Sequence, residues 1–226
     1  MGISGFSTLG DVRSTFRFHL TPPSRRILLS AELPFGAEAA QCFLNLIDGC
    51  ESYLEYGAGA STLAAYDLKR QFVTVESDQH FLKSVEDACS SRSPDQERDL
   101  GVFIHADIGP TGTWGKPLFP SIPRPNRWKS YPYAPWARLG NHFRSDLILV
   151  DGRFRVACAL TVALQQQDSS WLLMFDDYAE RREYWATENF LRLKERCGRM
   201  AIFEPSPSMD RKAASLALEH YLRDWR

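Results

Sequence analysis

Short apolar segments alternate with segments of helical periodicity, and this alternation constrains the fold more than any other feature of the chain. The apolar runs are continuous rather than alternating with polar residues, which is typical of strands buried on both faces. The predicted strands cover residues 52–56, 71–76, 101–105, 146–150, 171–175 and 199–203. The predicted helices cover residues 34–47, 61–69, 78–88, 154–165, 180–196 and 213–222.

This order of elements predicts an α/β fold, a doubly wound and mostly parallel sheet with helices on both faces. The chain has 226 residues, of which 44% are hydrophobic and 24% charged, so one domain over residues 1–226 with a substantial core is expected. Two segments lack the alternation. Residues 1–32 are predicted to form an arm or cap, and residues 109–141 an insertion rich in proline and aromatic side chains.

Composition excludes several classes of protein. The formal net charge of −1 does not suit a general nucleic-acid binder, and no apolar run is long enough for a membrane span. The five cysteines are scattered without a C-x-x-C pair, which predicts reduced thiols rather than a zinc cluster or disulfide framework. With no signal pattern at the N-terminus, we expect a cytoplasmic protein.

A carboxylate stands at the carboxyl end of each of the first five predicted strands. In a doubly wound fold, ligands bind outside the carboxyl ends of the strands. Acids gathered there repel one another, so we expect a ligand that carries hydroxyls, amines and positive charge. The acids that the argument uses are Glu55, Glu76, Asp107, Asp151 and Asp176.

A glycine loop joins the first strand to the next helix. Gly57 and Gly59 let a ligand approach the main chain, and Glu76 follows about twenty residues later, where a carboxylate can accept both ribose hydroxyls. A dinucleotide site usually has a third glycine, which is missing here. Glu55 would also lie unfavourably beside a pyrophosphate but favourably beside an ammonium or sulfonium group. The pattern therefore favours S-adenosylmethionine over NAD, and an NAD-dependent oxidoreductase is further disfavoured by the lack of a Tyr-x-x-x-Lys pair.

The segment Leu-Glu-Tyr-Gly-Ala-Gly-Ala-Ser-Thr-Leu at 54–63, with Val-Glu-Ser-Asp at 75–78, resembles class I (Rossmann-like) S-adenosylmethionine-dependent methyltransferases. Asp-Gly after the fourth strand and Asp-Asp after the fifth are similar to the small-molecule O-methyltransferase branch. The resemblance covers about residues 33–203. It implies that Glu55, Gly57, Gly59 and Ser61 serve the methionine part and the loop beneath it. It further implies ribose contact by Glu76, adenine amine contact by Asp107, and the methionine end or transferred methyl for Asp151.

Methyl transfer to a hydroxyl requires alignment and removal of a proton, so Asp151 and Asp176 are the predicted catalytic residues. Asp151, Asp176 and Asp177 could together hold a divalent cation such as Mg²⁺, but helix capping is favoured and no metal ligand is assigned. We expect Arg153 to pair with one of these aspartates. The alternative is that it binds an anionic acceptor.

The 109–141 segment contains five basic residues and no acid, together with several aromatic residues. This composition suits a small anionic or aromatic acceptor, a contact in a homo-oligomer, or single-stranded nucleic acid, in falling order of preference. Nothing in the sequence identifies the acceptor, so a protein that retained the fold and lost catalysis is the remaining alternative.

Overall fold

A computed structural model describes residues 32–92, 100–167 and 169–226. Nearly all of the predicted arm at 1–32 therefore lies outside the described residues. The centre of the molecule is one seven-stranded sheet with the order β3-β2-β1-β4-β5-β7-β6. Its strands are β1 (Ser52–Tyr56), β2 (Gln71–Glu76), β3 (Gly101–His105), β4 (Leu147–Val150), β5 (Leu172–Phe175), β6 (Leu191–Cys197) and β7 (Met200–Pro205).

Helices cover both faces of this sheet. They are α1 (Ala37–Gly49), α2 (Ala60–Asp67), α3 (Gln79–Arg92), α4 (Pro125–Trp128), α5 (Ser130–Leu139), α6 (Arg155–Gln165) and α7 (Arg211–Tyr221). Two 3₁₀ segments, Thr113–Gly115 and Arg182–Asn189, lie between them. No helix in these described ranges is long and apolar enough to cross a membrane.

Successive side chains of the central strands enter two different cores. Ile148 and Val150 of β4 pack into the cluster formed with α5, α6 and α7, whereas Leu147 and Leu149 pack into the cluster with α1, α2 and α3. Strands buried on both faces need apolar residues at every position, which is why these runs are continuous. The prediction of a doubly wound, mostly parallel α/β sheet is confirmed.

The predicted helix over 180–196 is wrong. The structure has the 3₁₀ segment at its start and then strand β6, which pairs antiparallel with β7. The hairpin turns at Gly198, whose φ of 56° lies in the left-handed region that favours glycine. β6 is rich in Glu, Lys and Arg because it is an edge strand with much of its length exposed.

The segment 109–141, predicted as a looped insertion, contains α4 and α5. It connects β3, at one edge of the sheet, to β4, which lies beyond β2 and β1. Parallel strands need such a crossover, usually through a helix. The helix was missed because α5 contains Pro135 in its interior, where proline normally breaks a helix.

The direction of winding reverses between β1 and β4, which are hydrogen-bonded neighbours. The turns after these two strands meet closely: a Cβ on Gly57 would lie 2.8 Å from the amide nitrogen of Gly152. Gly57 also has a φ of 103°, so glycine is required there on both counts. This switch point brings the ends of β1, β2 and β4 to one place.

Candidate active site

Glu76 lies directly over the glycine loop. Its Oε1 accepts hydrogen bonds from the amides of Ser77 at 2.6 Å and Asp78 at 2.9 Å. Its Oε2 accepts one at 3.3 Å from the amide of Ala58, which stands between the two loop glycines. Burial raises the pKa of this carboxyl group, and the amide donors oppose that shift. The end of β2 and the loop after β1 are thus joined through one carboxylate.

Glycine stands at the two positions of the loop for different structural reasons. Gly57 is required by its backbone conformation and by its contact with Gly152. Gly59 is extended, with a φ of 163° that any residue can adopt, and a Cβ added there would meet no atom within 4 Å. Neither conformation nor packing within the described residues explains Gly59, so the open space above it is available to a ligand.

Glu55 lies beneath the glycine loop and is fully buried. It accepts hydrogen bonds from the hydroxyls of Tyr53 at 2.9 Å and Ser61 at 2.6 Å, and from that of Thr62. Thr62 Oγ1 in turn accepts the Gly59 amide at 2.9 Å. Burial raises the pKa of Glu55 to about 7, against the effect of the hydroxyl donors. Glu55 and Ser61 therefore fix the loop from below.

Asp107, at the end of β3, is exposed and bound by an arginine from the β3–β4 connection. Both of its oxygens accept hydrogen bonds from Nη2 of Arg127, at 2.6 and 2.5 Å, and Oδ1 also accepts the Gly109 amide at 3.0 Å. These bonds lower the pKa of Asp107. The aspartate lies two residues after His105, the residue of β3 that pairs with Glu76.

Three aspartates meet at the ends of β4 and β5, and arginines surround them. Arg155, with 4% of its side chain exposed, lies 3.1 Å from Asp151 Oδ1 and 3.3 Å from Asp177 Oδ2. Its guanidinium also donates to the carbonyls of Gly152, Asp176 and Asp151. The remaining ion pairs are Arg199 with Asp176 and Asp177, and Arg181 with Asp177.

The pKa values of Asp151 and Asp176 move in opposite directions. The pKa of Asp151 is raised by burial and by the charges of Asp176 and Asp177, although Arg155 opposes the shift. Burial also acts to raise the pKa of Asp176, but the hydrogen bonds and charge of Arg199, with the charge of Arg155, outweigh it and lower that pKa. A proton taken up by this pair is therefore held on Asp151 rather than on Asp176.

The two predicted catalytic residues are thus brought together but in different surroundings. Asp176 is fully buried and held by Arg199, whereas the side chain of Asp151 keeps 27% of its surface exposed. Within the described ranges, no group of three His, Cys, Asp or Glu side chains is arranged to hold a metal ion. Each of the three aspartates is paired with at least one arginine.

The expected pairing of Arg153 with an aspartate is wrong. Arg155 makes those contacts instead, two residues further on. The reason is the turn at Phe154, whose φ of 53° is left-handed and separates the two arginines before α6 begins.

No family model and no curated protein matches this sequence. Among solved structures, a methyltransferase-like protein from Silicibacter pomeroyi is 33% identical, with a TM-score of 0.72 over 85% of this chain and 97% of that one.

The chain belongs to the Rossmann-like S-adenosylmethionine-dependent methyltransferase superfamily. The resemblance predicted from the glycine loop and the strand-end acids is thereby confirmed. Two further matches are distant. S-adenosylhomocysteine-bound PaMTH1 from Podospora anserina is 15% identical, with a TM-score of 0.42 over 97% of this chain and 78% of that one. CcbJ from Streptomyces caelestis is 14% identical, with a TM-score of 0.37 over 67% and 57%.

The sequence did not reveal how the β3–β4 connection of this methyltransferase reaches the site. The hydroxyl of Tyr131, on α5, lies 3.3 Å from the carbonyl of Val75, and a Cβ on Gly152 would collide with it. Tyr131 therefore fills the space between the end of β2 and the turn after β4. Its only sequence signal was its place in an aromatic-rich segment.

A second part of the same connection covers Glu76. Ser77 Oγ donates to the carbonyl of Gly115 at 3.1 Å, and a Cβ on Gly115 would lie 3.1 Å from Glu76 Oε1. Trp114 beside it is 82% exposed and has a left-handed φ of 61°. In this methyltransferase the 3₁₀ segment Thr113–Gly115 thus closes over the carboxylate at the end of β2.

Proposed function

We propose that this methyltransferase transfers the methyl group of S-adenosylmethionine to an oxygen atom of a small-molecule acceptor. The observation that carries the proposal is the position of Glu76, whose Oε2 lies 3.3 Å from the Ala58 amide of the glycine loop. A carboxylate at the end of the second strand, over such a loop, is placed to accept ribose hydroxyls. Membership of the superfamily supports S-adenosylmethionine as the cofactor.

The residues present fit this cofactor. The open space at Gly59 and the neighbouring Gly57 would admit its methionine part, and Glu76 would accept the ribose hydroxyls. The exposed carboxylate of Asp107 would accept the adenine amine while Arg127 keeps it ionised. Asp151 would face the methionine end. Glu55 and Ser61 would act through the loop that they hold in place.

S-adenosylmethionine, when bound, supplies a methyl group made electrophilic by its positively charged sulfur. Asp151 would accept the proton of the acceptor hydroxyl as the new oxygen–carbon bond forms and the carbon–sulfur bond breaks. Its raised pKa makes it a stronger base than an ordinary aspartate once it is ionised. Asp176 would act as a positioning residue, because Arg199 keeps it charged and that charge raises the proton affinity of Asp151.

The β3–β4 connection would provide the acceptor side of the site. Its 109–141 segment exposes Trp114, Phe119 and Ile122, and the charged residues of that segment are all basic. Such a surface suits a small aromatic or anionic acceptor, and it would equally suit a second subunit of a homo-oligomer. We place nucleic acid last, because the formal net charge of the whole chain is −1.

Calorimetric titration with S-adenosylhomocysteine and with NAD tests the cofactor. We expect S-adenosylhomocysteine alone to bind, and Glu76→Gln to weaken it by about tenfold to a hundredfold, since hydrogen bonds to charged groups contribute about 1.5–3 kcal/mol. Glu195→Gln, on the exposed edge strand, is the matched control. Equal affinity in the Glu76 variant, or preference for NAD, contradicts the proposal.

Methyl transfer is measured separately with isotopically labelled S-adenosylmethionine and a panel of hydroxylated small molecules. Asp151→Asn should bind S-adenosylhomocysteine and lose turnover, and the wild-type rate should rise with pH through a value above the usual aspartate range. Tight binding of S-adenosylhomocysteine without turnover on any acceptor would instead favour a protein that kept the fold and lost catalysis.

A further inference from the structure

Arg153 is a half-buried cation without a counter-ion in the described part of the chain. Its guanidinium appears in none of the ion pairs there, and its Nε is buried without a hydrogen-bond partner. A guanidinium remains charged at all physiological pH values, so this group cannot avoid the cost of burial by losing its proton. Buried charges in proteins are otherwise paired.

The acids around Arg153 are already engaged by other groups. Asp151, Asp176 and Asp177 pair with Arg155, Arg181 and Arg199.

The same holds for the acids at the ends of β2 and β3. Asp107 pairs with Arg127, and Glu76 accepts backbone amides. No acid at the described strand ends is left for Arg153, so a compensating anion has to come from outside this set.

Arg153 is placed where a ligand of this site would lie. It follows Gly152, the residue that contacts the glycine loop, and its amide is 3.5 Å from the hydroxyl of Tyr131. Burial and the neighbouring Arg155 lower the pKa of its guanidinium, and the charge of the Glu76 carboxylate opposes that shift. The side chain therefore lies between the glycine loop, where the cofactor would bind, and the aspartates at the ends of β4 and β5.

We propose that Arg153 is an oxyanion-binding residue of the active site and receives a carboxylate of a bound ligand. This inference rests on the proposed function. The planar fork of donors on arginine matches the two oxygens of a carboxylate, which makes bidentate recognition specific. The carboxylate has two sources, the amino-acid end of the cofactor and an acidic acceptor, and binding experiments distinguish them.

The test compares wild-type protein with Arg153→Gln and Arg153→Lys. Lys194→Gln, at an exposed position of the edge strand β6, controls for the loss of one positive charge. Each protein is titrated calorimetrically with S-adenosylhomocysteine and with 5′-methylthioadenosine, which lacks the amino-acid carboxylate. The S-adenosylhomocysteine complex is then titrated with benzoate and with the uncharged, isosteric benzamide.

Two results support the proposal. If the cofactor is the source, Arg153→Gln weakens S-adenosylhomocysteine by about tenfold or more and leaves 5′-methylthioadenosine unchanged. If the acceptor is the source, S-adenosylhomocysteine binds equally and Arg153→Gln loses the preference for benzoate over benzamide. In either case Arg153→Lys, which keeps the charge without the fork, falls between wild type and Arg153→Gln.

The proposal is overturned if Arg153→Gln and wild type bind all four compounds with equal affinity, or if Lys194→Gln produces the same losses. Failure of the proposed function is a different result, in which wild-type protein does not bind S-adenosylhomocysteine at all. Benzoate and benzamide are then titrated into the free protein. A preference for benzoate that is lost in Arg153→Gln still supports the inference, and its persistence in that variant contradicts it.

Discussion

The two halves of the active-site edge hold their carboxylates in different ways. At the ends of β1 and β2, Glu55 and Glu76 are surrounded by hydroxyls and backbone amides. At the ends of β4 and β5, the aspartates are surrounded by guanidinium groups. Neutral donors leave the carboxyl pKa raised by burial, whereas Arg199 lowers that of Asp176.

The difference is one of charge. In the first half, Glu55 and Glu76 are buried among neutral donors, and under the proposed function Glu76 would accept hydrogen bonds from the ligand. The second half is an ionic network, in which only Asp151 combines a partly exposed side chain with a raised pKa. The two halves should therefore respond differently to substitution.

The largest effect is expected for Arg155→Gln. The buried guanidinium pairs with Asp151 and Asp177 and donates to three main-chain carbonyls, so its loss leaves buried acceptors without a donor. We expect the free energy of unfolding to fall by about 3–5 kcal/mol, measured by urea denaturation near pH 7. Lys194→Gln, at an exposed position of β6, should change it by less than about 0.5 kcal/mol. A loss below about 1 kcal/mol for Arg155→Gln would show that the network does not stabilise the fold.

In the other half, Glu55 should make stability depend on pH. Its pKa rises from the ordinary 4.5 of a glutamate to about 7 on folding, because burial disfavours the charged form, so the folded state binds the proton more tightly. Its contribution is therefore fully present below pH 4.5 and is lost as the pH rises to 7, by about 3 kcal/mol in total. The unfolding free energy of the wild type, minus that of Glu55→Gln, should fall by that amount as the pH rises from 4.5 to 7. A constant difference would contradict the prediction.

The two loop glycines offer a matched pair. Gly57→Ala should cost about 2 kcal/mol of stability, because its φ of 103° is unfavourable for alanine and the Cβ would press on Gly152. Gly59→Ala should leave the thermal midpoint unchanged and weaken S-adenosylhomocysteine, since its Cβ enters open space. Thermal unfolding with and without the ligand measures both. Equal ligand affinity in Gly59→Ala would remove the structural reason that we give for this glycine.

The smallest effect, and one of opposite sign to Arg155→Gln, is expected for Arg153→Gln. Removing an unpaired, half-buried charge should leave the stability of the ligand-free protein unchanged or raise it by up to about 1 kcal/mol. The measurement is urea denaturation under the conditions used for Arg155→Gln. Destabilisation of comparable size in both variants would mean that Arg153 has a partner that stabilises the fold.

Much of the edge was predictable because strand positions are encoded locally. The predicted strands at 52–56, 71–76 and 101–105 coincide with β1, β2 and β3, and those at 146–150 and 171–175 begin one residue early. An apolar run bounded by glycine and acids carries its own signal. Parallel strands then bring their carboxyl ends to one edge, which placed Glu76 beside the glycine loop before any contact was known.

The failures share a physical cause, which is that the deciding contacts are distant in sequence. The segment 191–197 is a strand only because β7 offers it an edge, since its Leu, Lys, Glu and Arg favour a helix. In α5, Pro135 is tolerated because the helix packs against β2, β3 and α6 as the crossover. Neither reason can be found within the segment itself.

The amino-acid sequence by itself determined the doubly wound sheet, the glycine loop and the acids at the strand ends, because each depends on patterns a few residues long. Only the tertiary structure decided which charges meet. Arg153 and Arg155 are two positions apart and chemically identical, yet the left-handed turn at Phe154 sends one into the aspartate network and leaves the other without a counter-ion among the described residues. Because the energy of an ion pair falls with distance, the backbone conformation at Phe154 decides which of the two arginines pairs with the aspartates.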